Sequence, residues 1–266
     1  MKVLFDKFDT HTHSNISDGA NSPVEMIEAA AAQGLKVFTL TDHFDIHDRF
    51  PAKLSPFDGA GQEAVYTRLS KLKQREFGTK FLKGIEIGQA HQFREVAADW
   101  LASHEYDFVL AACHIIRGHI DFYHMDYEKN HPDSLLKQYF AELIELCEWG
   151  GGEKFDSLAH LAYPLRYMRG LGSLDNHKAA IDKLFKVMVK HEIALEINTG
   201  HAVVCPELEQ VARFSELGGR LITIGSDSHS VNTIAQRIHE GVRVAKAAGF
   251  TECVYYENRK PCFIQI

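Results

Sequence analysis

Two histidines at one-residue separation offer the first chemistry in this chain. His11 and His13 flank Thr12 just after an apolar stretch, and Asp18 follows within Ser17-Asp18-Gly19. On an extended backbone that spacing puts both imidazoles on one face. Two imidazoles converging at a strand end can grip a divalent ion, and a short polar loop can return the Asp18 carboxylate to the same place. Imidazoles and carboxylates recur wherever an apolar run ends. These are His43 in Thr41-Asp42-His43, Glu86 in Gly84-Ile85-Glu86, His114 after Ala112-Cys113 and His160 after Leu158-Ala159. Asp227 and His229 complete the set in Gly225-Ser226-Asp227-Ser228-His229. Any one of them alone fits a satisfied core histidine or a loop carboxylate. Together they number nine, and one ion usually takes three or four protein ligands. Two or three ions fit the count better. Nitrogen and oxygen donors suit Zn²⁺, Mn²⁺ or Fe. A metal lowers the pKa of bound water toward about 7, which gives a hydrolytic nucleophile at neutral pH.

Arg117 and Arg166 stand just past His114 and His160. Either can brace a phosphate with its planar fork, or be a solvated surface charge. His201, directly after Asn198-Thr199-Gly200, is a further candidate for contacting phosphate or protonating a leaving alkoxide.

The elements that must position these groups alternate between two patterns. Lys2 to Phe8 reads as a first strand. Ser22-Pro23-Val24-Glu25 has the capping-box pattern that starts a helix, and Gly34 ends it. Val37–Leu40 is a short buried-type strand. A charged helix is expected from Gln62 to Phe77, a strand from Lys80 to Ile87, a helix from Arg94 to His104 and a strand from Phe108 to Cys113. The long polar and aromatic loop from Ile115 to Pro132 is of the kind that usually carries function. Helices over Asp133–Trp149, Asn176–His191 and Pro206–Leu217 then alternate with strands over Asp156–His160, Ala194–Asn198 and Leu221–Ile224. A helix to Ala248 and a short tail follow. Strand then helix, about seven times, predicts a parallel barrel or an open parallel sheet. In a closed barrel all the strand ends share one rim, so the ligands would meet there. An open sheet would spread them along an edge. No Gly-x-Gly-x-x-Gly follows the first strand, so a dinucleotide fold is disfavoured.

Composition narrows the partners. The 266 residues are 45% hydrophobic, enough for one domain spanning residues 1–266. A net charge of −7 without a basic block argues against nucleic acid. No apolar run reaches the roughly 20 residues that span a bilayer. The N-terminus lacks a signal's apolar region. Five scattered cysteines with no Cys-x-x-Cys read as reduced thiols of a cytoplasmic protein. Oligomeric state is not readable.

The ordered motifs from His11-Thr12-His13 through Thr41-Asp42-His43 and Gly84-Ile85-Glu86 to Gly225-Ser226-Asp227-Ser228-His229 resemble the PHP family, named for polymerase and histidinol phosphatase. The resemblance covers nearly the whole chain, and its length matches the stand-alone phosphatase branch. It implies a distorted (β/α)7 TIM-like barrel with three divalent transition metal ions at the C-terminal rim of the strands. His11, His13, Glu86 and Asp227 would hold one ion. Glu86, His114 and His160 would hold a second, and Asp18, His43 and His229 a third. Glu86, Asp18 and Asp227 would thereby serve catalysis, with hydroxide bridging two ions as nucleophile. The implied substrate is a small phosphate monoester, L-histidinol phosphate ahead of phosphotyrosine or a nucleotide phosphoester. Its cationic end would meet acidic or aromatic loop residues, with Asp121, Tyr123, Asp126 and Tyr127 available. A metal-binding module without catalysis is countered by the complete ligand set. An amidohydrolase is countered by Glu86 standing where a carboxylated lysine would bridge.

Overall fold

The strands Val37–Leu40 and Phe108–Ala112 are buried along their whole length. Strands covered on both faces are those of parallel sheets wrapped by helices. In the computed structural model of the chain, the described residues are 8–47, 62, 65–67, 69, 78–200 and 203–266. They form β1 (Phe8–Asp9), α1 (Pro23–Ala32), β2 (Val37–Leu40), β3 (His43–Asp45) and β4 (Lys80–Gly88). There follow α2 (Arg94–Ser103), β5 (Phe108–Ala112), α3 (Pro132–Gly150), β6 (Ser157–Leu158) and α4 (Lys178–Lys190). The last elements are β7 (Ala194–Asn198), α5 (Leu208–Glu216), β8 (Ile222–Gly225), α6 (Ile238–Ala247), β9 (Glu252–Glu257) and β10 (Lys260–Gln265).

The parallel strands pair in the order β1-β2-β4-β5-β6-β7-β8, with β3 beside the end of β4. The two ends of this path meet. Thr12 and Ser228 form a parallel bridge, and His13 N donates to Ser228 O at 2.7 Å while Asp227 N donates to His11 O at 2.8 Å. The buried Asp9 carboxylate reinforces the seam by accepting from Ser226 N at 2.9 Å and Ala235 N at 2.8 Å. The result is a nearly closed seven-stranded barrel, distorted because β1 and β6 are each two residues long. The open-sheet alternative is excluded by that seam.

Helix α1 begins as its sequence predicts. Ser22 accepts from Glu25 N at 3.3 Å, and Glu25 returns to Ser22 N at 2.7 Å. Such caps are worth about 1 kcal/mol. Helix α3 buries Leu136, Tyr139, Phe140 and Leu143 against the outer face of the barrel. Among the described residues no helix is long and apolar enough to cross a membrane.

Three expectations need amendment. The first strand was expected from Lys2, and only Phe8 and Asp9 fall within the described residues as strand. Most of the helix expected from Gln62 to Phe77 also lies outside them. The tail is an antiparallel hairpin, β9 with β10, turned at Asn258 and Arg259 with φ of 51° and 63°. Two-residue turns of this type usually advertise themselves by glycine. Here Arg259 takes the disfavoured backbone conformation while its guanidinium donates to Asp156 at 2.7 Å. Contacts from the hairpin to Lys80, Asp107 and Asp156 place it at the N-terminal ends of β4 to β6, away from the ligand-bearing rim.

Candidate metal centre

Each strand of the barrel except β7 delivers a candidate ligand at or just beyond its C-terminal end. All nine come together. His11 and His13 are fully buried, and their Nε2 atoms approach to 3.0 Å. Glu86 Oε2 lies 3.4 Å from His11 Nε2 and 3.6 Å from His13 Nε2. Asp227 Oδ1 lies 3.3 Å from His13 Nε2 and 3.6 Å from His11 Nε2. The other Glu86 oxygen, Oε1, is 2.9 Å from His160 Nε2 and 3.4 Å from His114 Nε2. Asp18 reaches His229 Nε2 at 3.2 Å and His43 Nε2 at 3.7 Å. His13 stacks between His43 and His229, with centroids at 4.2 and 4.3 Å. Two of the candidate ligands, His160 and Asp227, have positive φ of 22° and 52°. Uncommon backbone of this kind persists where the surroundings over-determine it, often at functional sites.

The donors fit metal ions better than they fit one another. Glu86 Oε2 is a buried carboxylate oxygen without a hydrogen-bond partner. His43 Nδ1 lies 2.9 Å from it and is likewise without a hydrogen-bond partner. At three other histidines the outer ring nitrogen is anchored so that Nε2 faces inward, while the Nδ1 atoms of His13 and His160 have no partner. His11 Nδ1 meets Glu196 Oε1 at 2.6 Å, His114 Nδ1 meets Asp45 Oδ1 at 2.8 Å and His229 Nδ1 meets Asp227 O at 2.9 Å. This is the arrangement in which an outer acceptor fixes a metal-ligating imidazole.

Electrostatics divide the imidazoles. Burial works against a charge on His11, but Glu196, Asp227 and Glu86 more than offset it and hold its pKa well above the usual value. At His43 burial is likewise outweighed, chiefly by Glu86, and the pKa rises to about 9. At His114 the Asp45 and Glu86 carboxylates overcome burial and raise it well above the ordinary range. His13 goes the other way, to about 3, because burial is joined by repulsion from His43 and His229. Burial opposes the Glu86 charge, yet His43, His11 and His114 hold that carboxyl well below its usual range.

The centre floors a cavity of about 630 Å³ whose wall includes Asp45, Asp121, Tyr123, His124, Tyr163, Arg166 and Tyr167. Arg166 is largely buried, donating to Asp227 Oδ2 at 2.8 Å and Asn198 Oδ1 at 2.9 Å, with its Nε unpartnered. Burial disfavours its charge, and Asp227 more than restores it. Arg117, the other phosphate candidate, is not in the wall. It forks onto Glu145 of α3 at 2.7 and 2.8 Å, so the expected phosphate contact is withdrawn. His201 lies outside the described residues. Of the loop residues suggested for a cationic group, Asp121 and Tyr123 line the cavity. Asp126 instead pairs with Lys129, and the Tyr127 hydroxyl donates to Phe122 O. A further buried trio, His91, Cys113 and Glu142, has ligand spacing. Glu142 is already satisfied there by His91, Gln92, Gln138 and the Arg117 amide.

Sequence reasoning missed the groups behind the ligands: Asp45, Glu196, Asn198 and Asp42. Asp42 gathers the loop that carries Asp18, accepting from Ser14 N at 2.7 Å, from the Ser14 and Ser17 hydroxyls and from Tyr66. A signal existed for two of them. Asp45 follows His43, and Glu196 interrupts the apolar run of β7.

The chain is similar to known proteins along nearly its whole length. A protein named probable histidinol-phosphatase from Clostridium acetobutylicum is 30% identical, over 95% of this chain and 97% of its own length. The histidinol-phosphatase of Lactococcus lactis is 28% identical over 96% of each chain. The crystal structure of histidinol phosphate phosphatase from that organism, complexed with Zn, L-histidinol and phosphate, superposes with a TM-score of 0.81. It is 24% identical and covers 97% of this chain and 100% of the other. The PHP domain family model matches residues 9–200, seven of the nine candidate ligands among them, and the chain belongs to the PHP domain family.

Proposed function

We propose that the chain, acting as one phosphoesterase unit over residues 1–266, is a metal-dependent phosphomonoesterase. It hydrolyses L-histidinol phosphate to L-histidinol and phosphate, a step of histidine biosynthesis. The observation that carries this reading is the unpartnered Glu86 Oε2 in the midst of converging imidazole nitrogens and carboxylates. Likeness to the two histidinol-phosphatases supports the substrate.

Three divalent ions, Zn²⁺, Mn²⁺ or Fe, suit the donors. His11, His13, Glu86 and Asp227 would hold one, Glu86, His114 and His160 a second, and Asp18, His43 and His229 a third. When bound, such ions supply Lewis acidity that activates water and offsets phosphate charge. Glu86 belongs to two of these sets, so its carboxylate fixes the spacing between them. Arg166 steadies phosphate oxygens from the cavity wall while keeping Asp227 in place. Burial of His11, His13 and Glu86 keeps bulk water from the donors. The free thiols accord with a cytoplasmic setting.

The test is kcat/KM for histidinol phosphate, a phosphotyrosine peptide and a nucleotide phosphodiester, with metal content measured on the same preparation. Histidinol phosphate should lead. A higher value for either rival substrate moves the chain to that activity, and full activity with one ion or none removes the multinuclear reading.

A further inference from the structure

Strand β7 is the one barrel strand that supplies none of the nine candidate ligands. Its inward residues are nevertheless polar and buried: Glu196 is 1% exposed and Asn198 likewise. Glu196 divides its two oxygens between different parts of the centre. Oε1 takes His11 Nδ1 at 2.6 Å, and Oε2 accepts from the backbone N of His160 at 2.7 Å. Asn198 Nδ2 adds a donor to Oε2 at 3.2 Å. His11 belongs to the set shared with His13 and Asp227, and His160 to the set around Glu86 and His114. One carboxylate therefore grips the side chain of one ligand and the main chain of another.

Both grips have geometric consequences. Once the ring is neutral, a donor bond from His11 Nδ1 leaves Nε2 as the lone-pair nitrogen facing His13 and Asp227. The amide of His160 sits in a residue whose φ is +22°, and Glu196 is its acceptor. Without that acceptor the His160 backbone has a buried donor unpaired and reason to relax. Gly225 of β8 makes room for the pair. A Cβ there would lie 2.3 Å from His11 Cβ and 2.9 Å from Glu196 Oε1. Among the described residues Asp18, His43 and His229 are not paired with Glu196: His229 Nδ1 meets Asp227 O, Asp18 faces His229 and His43 and accepts from the Ser17 hydroxyl, and His43 Nδ1 lies near Glu86 and Asp45.

We infer that Glu196 is a positioning residue that holds His11 and His160 in ligating geometry, so that it governs the affinity of two ions and leaves the third alone. This rests on the metal-centre reading above. The effect expected for losing such an outer partner is about 10–100-fold in metal affinity.

The test uses the full chain, stripped with chelator and reloaded with Zn²⁺ against a chromophoric competitor, and with Co²⁺ to follow its visible spectrum. Glu196→Gln offers one oxygen and one NH2 where two acceptors are needed. It should weaken two Zn²⁺ sites by about 10–100-fold and keep the remaining site at wild-type affinity, with altered Co²⁺ bands. Circular dichroism of the stripped proteins controls for folding. Glu196→Asp, one methylene shorter, should give the same split, and it decides the matter if the amide variant fails to fold. Wild-type affinity at all sites, or equal weakening of all, overturns the role of Glu196. A wild-type chain that takes up fewer than two ions would instead overturn the metal-centre reading itself.

Discussion

Replacing Arg166 by alanine separates the two jobs proposed for its guanidinium, holding Asp227 and steadying phosphate. The side chain is 9% exposed, as is that of Asp227, so their 2.8 Å contact is little screened by solvent. Removing one member of a buried charged pair strands the other and costs about 3–5 kcal/mol. At about 2–4 °C per kcal/mol, the expected fall in melting temperature without metal is roughly 6–20 °C. The loss also frees Asp227 Oδ2 and Asn198 Oδ1, and removes the arginine among the residues that wall the cavity. Deleting one donor to a developing anion typically costs 10²–10³-fold, so kcat/KM on histidinol phosphate should fall by about that much. Arg166→Lys keeps the charge but cannot reach both partners, and should fall between the two. The assay is steady-state turnover of metal-reloaded protein beside thermal melts in chelator. An alanine variant within about threefold of wild-type kcat/KM would refute the phosphate role. A lysine variant equal to wild type would refute the fork.

Two further outcomes follow from the site. His11, His43 and His114 hold protons at neutral pH because carboxylates outweigh burial, with His43 at about 9. A ligating imidazole must give its proton up, so Zn²⁺ loading at pH 7 should release roughly three protons, and apparent affinity should still be rising with pH near 9, where His43 loses its own. Calorimetry in buffers of different ionisation heat reads this directly, and a buffer-independent heat would contradict it. Asp121 lines the cavity with its Oδ1 accepting from Tyr163 OH at 3.1 Å. A charge-assisted contact to an ammonium is worth about 1.5–3 kcal/mol, so Asp121→Asn should lower kcat/KM for histidinol phosphate by roughly 10–100-fold. It should leave 4-nitrophenyl phosphate nearly unchanged, and equal losses on both substrates would show that Asp121 does not read the cation.

Eight of the nine candidate ligands were legible because each sits at or just past the end of an apolar run, with Asp18 on the polar loop beside them, and a barrel turns that one-dimensional pattern into a ring. His114 after Ala112-Cys113 and His160 after Leu158-Ala159 stood out only because the same placement recurs along the chain. What was not legible depends on pairings across the ring. Nothing in the local sequence of Arg117 foretells that α3 presents Glu145 to its fork. Nothing around Glu196 says that its oxygens meet residues 185 positions before and 36 positions before it. The hairpin at Asn258-Arg259 was hidden for a different reason: its turn is held by an ion pair to Asp156 in place of a glycine.

The seam between Thr12 and Ser228 sets when an ion can be captured during synthesis. It joins segments 217 positions apart, as measured from Asp9 to Ser226. Closing a loop of that length costs on the order of 5 kcal/mol in chain entropy. His11 and His13 are made before β2, yet Asp227 arrives only after all seven barrel strands. A nascent chain can hold the two histidines but not the carboxylate that completes their set. An ion seated on all three is a clasp on the finished ring, so metal uptake marks chains that have closed.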